Sequence, residues 1–365
     1  MPIKTAYSIK ELPAAVAELK QQCADLKPRV VLCFASPKYD PALLSQELQR
    51  TFPDASIAGC STAGEIVSGR MLTGSVAAMF LDGDVVENAA CAVVRNLRGG
   101  TGVRAAFQEL ESHFGTPLAA MDIEKYVGVV LFDGMSGAEE RLMEEIGDLT
   151  DLFFVGGSAG DDLQFQRTHV LAGGQAFTDA ALLLLLKVPR GFDIIKTQSF
   201  VATDKVLVAT EVDGRKVGRF NGQPAVKAYA KALGVAPEKV AEEFMVHPLG
   251  LMVDGQPFVR SPQHVEDGAM AFYCRIAEGA ELHVLNGTNI IADTRAAVEA
   301  KKAELGHIAG IIDFHCILRT LQLRAEQRCG EYGALFGEIP AVGFSTYGEA
   351  YLGHINQTST MLVFR

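Results

Sequence analysis

The densest chemistry lies near the C-terminus, where Asp313-Phe314-His315-Cys316 is followed by Arg319. If a strand ends here and a helix begins at Cys316, Arg319 lies one turn beyond His315 on the same face. A His in the first turn of a helix is kept neutral by the helix dipole, and a neutral imidazole is the form that ligates a metal or haem iron. A thiol at the same place, Cys316, has a lowered pKa. Arg319 suits a carboxylate, whether of an amino acid or of a haem propionate. Arg260, in Phe258-Val259-Arg260-Ser261-Pro262, is a second cation of that kind. His247 and His354 stand behind His315 as candidate axial ligands. The terminal stretch His354 to Phe364 reads as a strand that places amides and hydroxyls on both faces, Asn356, Gln357 and Thr358 among them. Such a strand lies at an edge or lines a polar cavity; lining a cavity would make these three hydrogen-bonding contacts of a ligand.

Catalytic motifs are poorer. Gly156-Gly157-Ser158-Ala159-Gly160 satisfies G-x-S-x-G, but that elbow must lead from a strand into a helix. Here it leads through Asp161-Asp162 toward a hairpin, and two carboxylates would oppose an oxyanion. Thiol chemistry at Cys60 or Cys316 lacks a base at motif spacing. G-x-G-x-x-G after the first strand, a Walker loop and H-E-x-x-H are all absent from the sequence. A non-enzyme is expected, with a hydrolase or thiol enzyme as the remote alternative.

Three repeated units position these residues. Gly59-Cys60-Ser61-Thr62-Ala63-Gly64-Glu65 recurs as Gly343-Phe344-Ser345-Thr346-Tyr347-Gly348-Glu349, with a degenerate copy at Gly156-Gly157-Ser158-Ala159-Gly160-Asp161. Each copy follows a strand and a helix: Arg29–Phe34 and a helix from Asp40-Pro41; Tyr126–Phe132 and a helix opened by a Ser136-x-x-Glu139 capping box; His307–Phe314 and a helix from Cys316 to Arg328 that Gly330 ends. Strand, crossover helix and strand make a parallel pair. Between the second and third units the pattern is antiparallel, with hairpins at Gly173-Gly174 and Asp213-Gly214 and a helix from Pro224 to Gly234. The expected fold is therefore α/β, or mixed α+β: repeated strand–helix–strand units plus antiparallel hairpins, in two domains. The boundaries expected are a helical lead-in at 1–27, a domain at 28–220 and a second at 221–365, divided near Asn221-Gly222.

Composition agrees with a packed protein. The 365 residues are 48% hydrophobic and 21% charged, with net charge −11, which argues against disorder, nucleic acid and anionic membranes as partners. The longest apolar block, Ala180–Leu186, is a strand rather than a span. Seven cysteines without a C-x-x-C pair indicate neither a disulfide framework nor a zinc ribbon. With no secretory signal at the start, a cytoplasmic location is expected.

Taken together, these motifs, with Phe154-Val155, His247-Pro248-Leu249-Gly250 and Cys316-Ile317-Leu318-Arg319, resemble the FIST family of prokaryotic sensory proteins. The resemblance covers residues 28 to 364 and implies an N-terminal and a C-terminal FIST part. It also implies a sensor of small molecules such as amino acids, and the Cys316–Arg319 pair matches the family's. Ligands of parallel sheets sit beyond the carboxyl ends of the strands, so the residues expected to hold the ligand are Arg260, His315, Cys316, Arg319, Ser345, Thr346, Glu349, Asn356, Gln357 and Thr358. Some stand-alone members are haem proteins that sense nitric oxide and control a histidine kinase or cyclic-di-GMP enzyme, as in two-component systems. Haem b, bound without covalent attachment since C-x-x-C-H is absent, is the cofactor this would require. An output domain is missing from the sequence, so the sensor is expected to act in trans.

Overall fold

The computed structural model describes residues 2–100 and 102–365. It is a mixed α+β protein, and its contacts divide it into two compact units. The first comprises 1–196, 295–353 and 359–365; the second comprises 197–294 with 354–358. No helix among the described residues is long and apolar enough to cross a membrane.

All three sequence repeats form parallel strand–helix–strand units, and all lie in the first unit. They are β1 (Val30–Ala35), α1 (Pro41–Thr51) and β2 (Ser56–Ser61); β3 (Tyr126–Phe132), α2 (Glu139–Gly147) and β4 (Phe154–Ser158); and β5 (Gly310–Cys316), α3 (Ile317–Ala325), α4 (Cys329–Ala334) and β6 (Ala341–Thr346). Asp40 caps α1 by accepting from the Leu43 amide, with Pro41 in the first turn. Each repeat also gains an antiparallel strand: Val76–Leu81 on β1, Ala180–Lys187 on β3 and β7 (Thr358–Phe364) on β5.

The strands that follow each Gly-Ser/Thr loop do not return to their own sheet. The hairpin Glu65–Val67 and Arg70–Leu72 extends the third sheet beside β6. The hairpin Val170–Ala172 and Gln175–Phe177 extends the first beside β2, and Glu349–Tyr351 extends the second beside β4. The exchange is cyclic. The inner faces of the three sheets share one apolar core, with Phe34, Leu131, Phe314 and Phe344 buried in it and the Phe34 and Phe344 rings 4.6 Å apart. Helices cover the outer faces.

The second unit is an antiparallel sheet built on the long strand Phe200–Asp213, which pairs with Lys216–Phe220 and Glu281–Gly287. Helix Ala225–Leu233 ends at left-handed Gly234 and buries Tyr229 with Phe220, Met270 and Phe272.

Several local expectations are corrected. No capping box forms at Ser136: α2 starts at Glu139, whose buried carboxylate instead accepts from Ser158 Oγ. The helix expected over 316–328 ends at Ala325, and Gly330, expected to terminate it, lies inside a separate helix, Cys329–Ala334. His315 is in a strand, not in a helical turn. The terminal strand is broken between Ile355 and Thr358 by Gln357 at φ 52°, so the alternation expected from His354 onward does not run through. The first 27 residues begin with a strand, Ile3–Ser8, before their helix.

The repeated glycines have a steric cause. A Cβ on Gly59, Gly156 or Gly343 would lie 2.0, 1.7 or 2.1 Å from the carbonyl oxygen of Cys33, Val130 or Asp313, its partner on the adjoining strand. Backbone cannot yield as a flexible side chain does. Each Gly→Ala change should therefore destabilise the protein by about 2–4 kcal/mol or prevent folding. Gly330→Ala, where a methyl group meets open space in α4, should change stability by less than about 1 kcal/mol. Urea titration followed by circular dichroism checks both.

Candidate functional site

The loops after β2, β4 and β6 meet and lock one another. Gly160 N and Asp162 N donate to Ser61 O and Thr62 O at 3.0 and 3.1 Å. Ser345 N donates to Gly64 O at 2.8 Å, and Ala63 N to Ser345 O at 3.3 Å. Ser158 N donates to Gly348 O at 2.9 Å, while Tyr347 N and Thr346 Oγ1 donate to Ser158 O. The acids of the loops are buried in different ways. Burial pushes Glu65 up to about 7, against hydrogen bonds from Ser75 and Thr62. Burial also pushes Asp161 up, but Tyr347 and the amides of Arg167, Gln166 and Phe165 outweigh it and hold the carboxyl below its usual range. Glu349 is fully buried.

The third repeat carries a charged network on the outer face of its sheet. Asp313 and His315 point to that face from β5, Ser345 and Ser359 flank His315 in register, Arg319 and Thr320 come from α3, and Tyr332 from α4. All are buried; Arg319 is only 2% exposed. Tyr332 OH and Ser359 Oγ donate to the Asp313 carboxylate at 2.8 and 2.6 Å. With the tyrosine proton so committed, its oxygen accepts from His315 Nδ1 at 3.0 Å, which leaves His315 Nε2 as a buried acceptor without a hydrogen-bond partner. Burial pushes Asp313 up to about 6, opposed by Ser359, Tyr332 and the Arg319 charge. Burial, and then the Arg319 charge, hold His315 well below the usual histidine range. Near neutral pH the network is thus a carboxylate, a neutral imidazole and a guanidinium.

The strand positions of Asp313 and His315 are apolar in the sister repeats. The glycine of each motif pairs with Cys33, Val130 and Asp313 in turn; the following serine pairs with Ala35, Phe132 and His315. Two of three repeats go without charge at these strand positions. The third does not.

Of the residues singled out in the sequence, the first unit brings together His315, Arg319 and Ser345 in or beside this network. Cys316 is the residue before α3, and Thr346 and Glu349 belong to the interlocked loop. Asn356, Gln357, Thr358, Arg260, His247 and His354 lie in the second unit. There Gln357 accepts from Ser261 Oγ at 2.8 Å and donates to Met245 O at 3.0 Å, and Asn356 is buried with Oδ1 lacking a partner. Arg260 donates to the Val259 carbonyl at 3.1 Å. Sequence reasoning missed Tyr332, Ser359 and Thr320. Asp313, two residues before His315 on the same strand face, was the signal available; Tyr332 lies in a helix with no pattern pointing back to it.

The three candidate histidines do not fit a haem as they stand. His247 uses Nδ1 on Leu285 O and Asn286 Oδ1, and its Nε2 faces Glu243. His354 is nearly buried. His315 has a ring nitrogen to offer but no exposed surface, and its ring packs 4.3 Å from that of Tyr332; a porphyrin would have to part the helices from the sheet. No group of three or more His, Cys, Asp or Glu among the described residues could hold a metal ion. Ser158 Oγ is spent on Glu139, and burial pushes the Cys60 thiol far up, away from a reactive thiolate.

Comparison with known proteins adds the following. The model of the FIST N domain matches residues 29–223, and that of the FIST C domain matches 225–351. An uncharacterized protein of Methanocaldococcus jannaschii is 25% identical over 276 residues, 70% of this chain and 53% of that protein. The chain thus spans about half the length of this curated relative.

Because Asp313 binds its proton more tightly in the folded chain than in the unfolded one, its contribution is full below pH 4 and is lost as pH rises through about 6. Relative to Asp313→Asn, which keeps no titrating group there, the wild type should lose about 3 kcal/mol of stability between pH 4 and pH 8. Urea midpoints of the two proteins across that range measure it.

Proposed function

The chain belongs to the FIST family, whose domains are sensors of signal transduction, and from that premise we propose that the third repeat is its sensing element. One observation carries the reading: Asp313 and His315, the strand residues that feel the Arg319 charge, stand where the sister repeats place apolar residues. The repeated fold does not need charge at these positions.

Arg319 is the recognition group, and the ligand is a small molecule bearing a carboxylate, such as an amino acid. Its carboxylate takes the place of Asp313 as the counter-charge of the guanidinium, which lets Asp313 keep a proton. Ser345 and Thr320, joined Oγ to Oγ1 at 2.8 Å, supply neutral hydrogen bonds. Entry requires α4, a helix of six residues, to lift from the sheet. Helix α3 then carries the change outward: Thr320 contacts the third loop, and Arg324 Nη2 donates to Ala63 O of the first at 3.3 Å. The altered junction is read by a separate signalling protein, a histidine kinase or cyclic-di-GMP enzyme. The second reading, a haem-based sensor of nitric oxide, finds no free, accessible ring nitrogen at His247, His315 or His354 and is weaker.

Differential scanning fluorimetry with the standard amino acids and short dicarboxylates tests the proposal. At least one compound should raise the melting temperature by about 2 °C or more. The shift should vanish in Arg319→Met, which keeps the volume and removes the charge, and should be reduced in Arg319→Lys. A shift that persists in a folded Arg319→Met protein, or the absence of any shift in the wild type, overturns the assignment.

A further inference from the structure

A second place in the first unit has the composition of a binding site and is independent of the Arg319 network. A groove of about 440 Å³ opens beneath the C-terminal end of α2, within the size range of small-molecule sites. Its floor is apolar, formed by Ile146, Leu152 and Phe154, all buried. Its rim is Glu144, Asp148 and Asp151, all exposed. No Lys, Arg or His lines it, and none of the three rim carboxylates takes part in an ion pair among the described residues.

The helix end adds to the same field. The last carbonyls of a helix carry partial negative charge and are ordinarily met by a basic side chain. Lys20, Arg50, Lys231 and Arg324 fill that role in the last turns of other helices here. The last turn of α2 has no basic residue. The groove therefore combines an uncompensated helix terminus, three unpaired carboxylates and an apolar floor. Leu352 also lines it, 70% exposed and held at φ 53°, a left-handed conformation unfavourable for leucine.

We propose that this groove binds a small organic cation with an aromatic or aliphatic body, such as an arylalkyl amine. The ammonium group sits among Glu144, Asp148 and Asp151 and the α2 carbonyls. The apolar body lies on Ile146, Leu152 and Phe154, and Leu352 closes over it.

The test is isothermal titration calorimetry of the whole chain at low ionic strength with 2-phenylethylamine. The controls are 2-phenylethanol and 3-phenylpropionate, which keep the body and change the charge. The amine should bind about tenfold more tightly than either control, and the preference should shrink as salt is added. In the double variant Asp148→Asn, Asp151→Asn, both surface positions, amine affinity should fall about tenfold while that of the alcohol stays. Equal binding of amine and propionate overturns the proposal, as does amine binding unchanged in the double variant or undetectable in the wild type. Binding of a lysine-rich peptide without binding of the amine also overturns it, because the groove would then serve a protein partner.

Discussion

Three loops that hydrogen-bond one another through their backbones are the constraint on which the first unit depends. Each loop gives up its own sheet and sends the following strand to a neighbour's. The peptide groups at the exchange point are buried, and buried N–H and C=O groups must be paired. Some are paired within their own repeat, as Thr62 N is with Ala35 O and Ala159 N with Phe132 O, but others find a partner only across loops, as Gly160 to Ser61, Ser345 to Gly64 and Ser158 to Gly348 show. No repeat can satisfy its loop alone, so the three sheets form together or not at all. The small residues of the motif follow: a Cβ on Gly160 would lie 2.7 Å from Ala63 N, and one on Gly157 2.5 Å from Thr346 Oγ1.

Against that frame the third repeat's network is costly. A buried pair of opposite charges is no more stabilising than apolar residues of the same volume, while removing one partner costs about 3–5 kcal/mol. The alternative is not hypothetical here, because Cys33, Ala35, Val130 and Phe132 occupy the same register in repeats that fold equally well. What charge adds is a discrete state: one proton on Asp313 changes the balance around Arg319 and the hydrogen-bond direction through Tyr332 to His315. An apolar interface has no such alternative.

Much of this architecture was legible in the sequence. The repeated Gly-Ser/Thr-Gly-acid segment identified the three units, because its glycines answer a local clash that any copy must avoid. The hairpins at Gly173-Gly174 and Asp213-Gly214 were marked by turn chemistry. The cyclic exchange was not visible, since no local pattern says which sheet a strand joins. Helix limits failed where tertiary contacts overrode propensity: Glu139 turned inward to Ser158 instead of closing a capping box, and the helix expected to reach Arg328 stops at Ala325, before Gln327 at φ 58°. Of the network, Asp313, His315 and Arg319 share one stretch of sequence, where the last two were singled out; Tyr332 and Ser359 are joined to them only by the fold.

The geometry also limits how a change in the network can travel. Packed interiors do not deform smoothly; they switch between arrangements. Helix α3 is held at Arg319 by the network, at Thr320 by Ser345 and at Arg324 by Ala63. A shift at its first turn therefore bears on two of the three loops within two turns of helix. Because the loops bond reciprocally, the third cannot keep its own contacts while the other two move: Ser158 is held by Gly348 and Tyr347, and Gly160 by Ser61. A rearrangement that began at this buried charge would thus reach all three sheets through backbone hydrogen bonds, without passing through the apolar core around Phe34, Phe314 and Phe344.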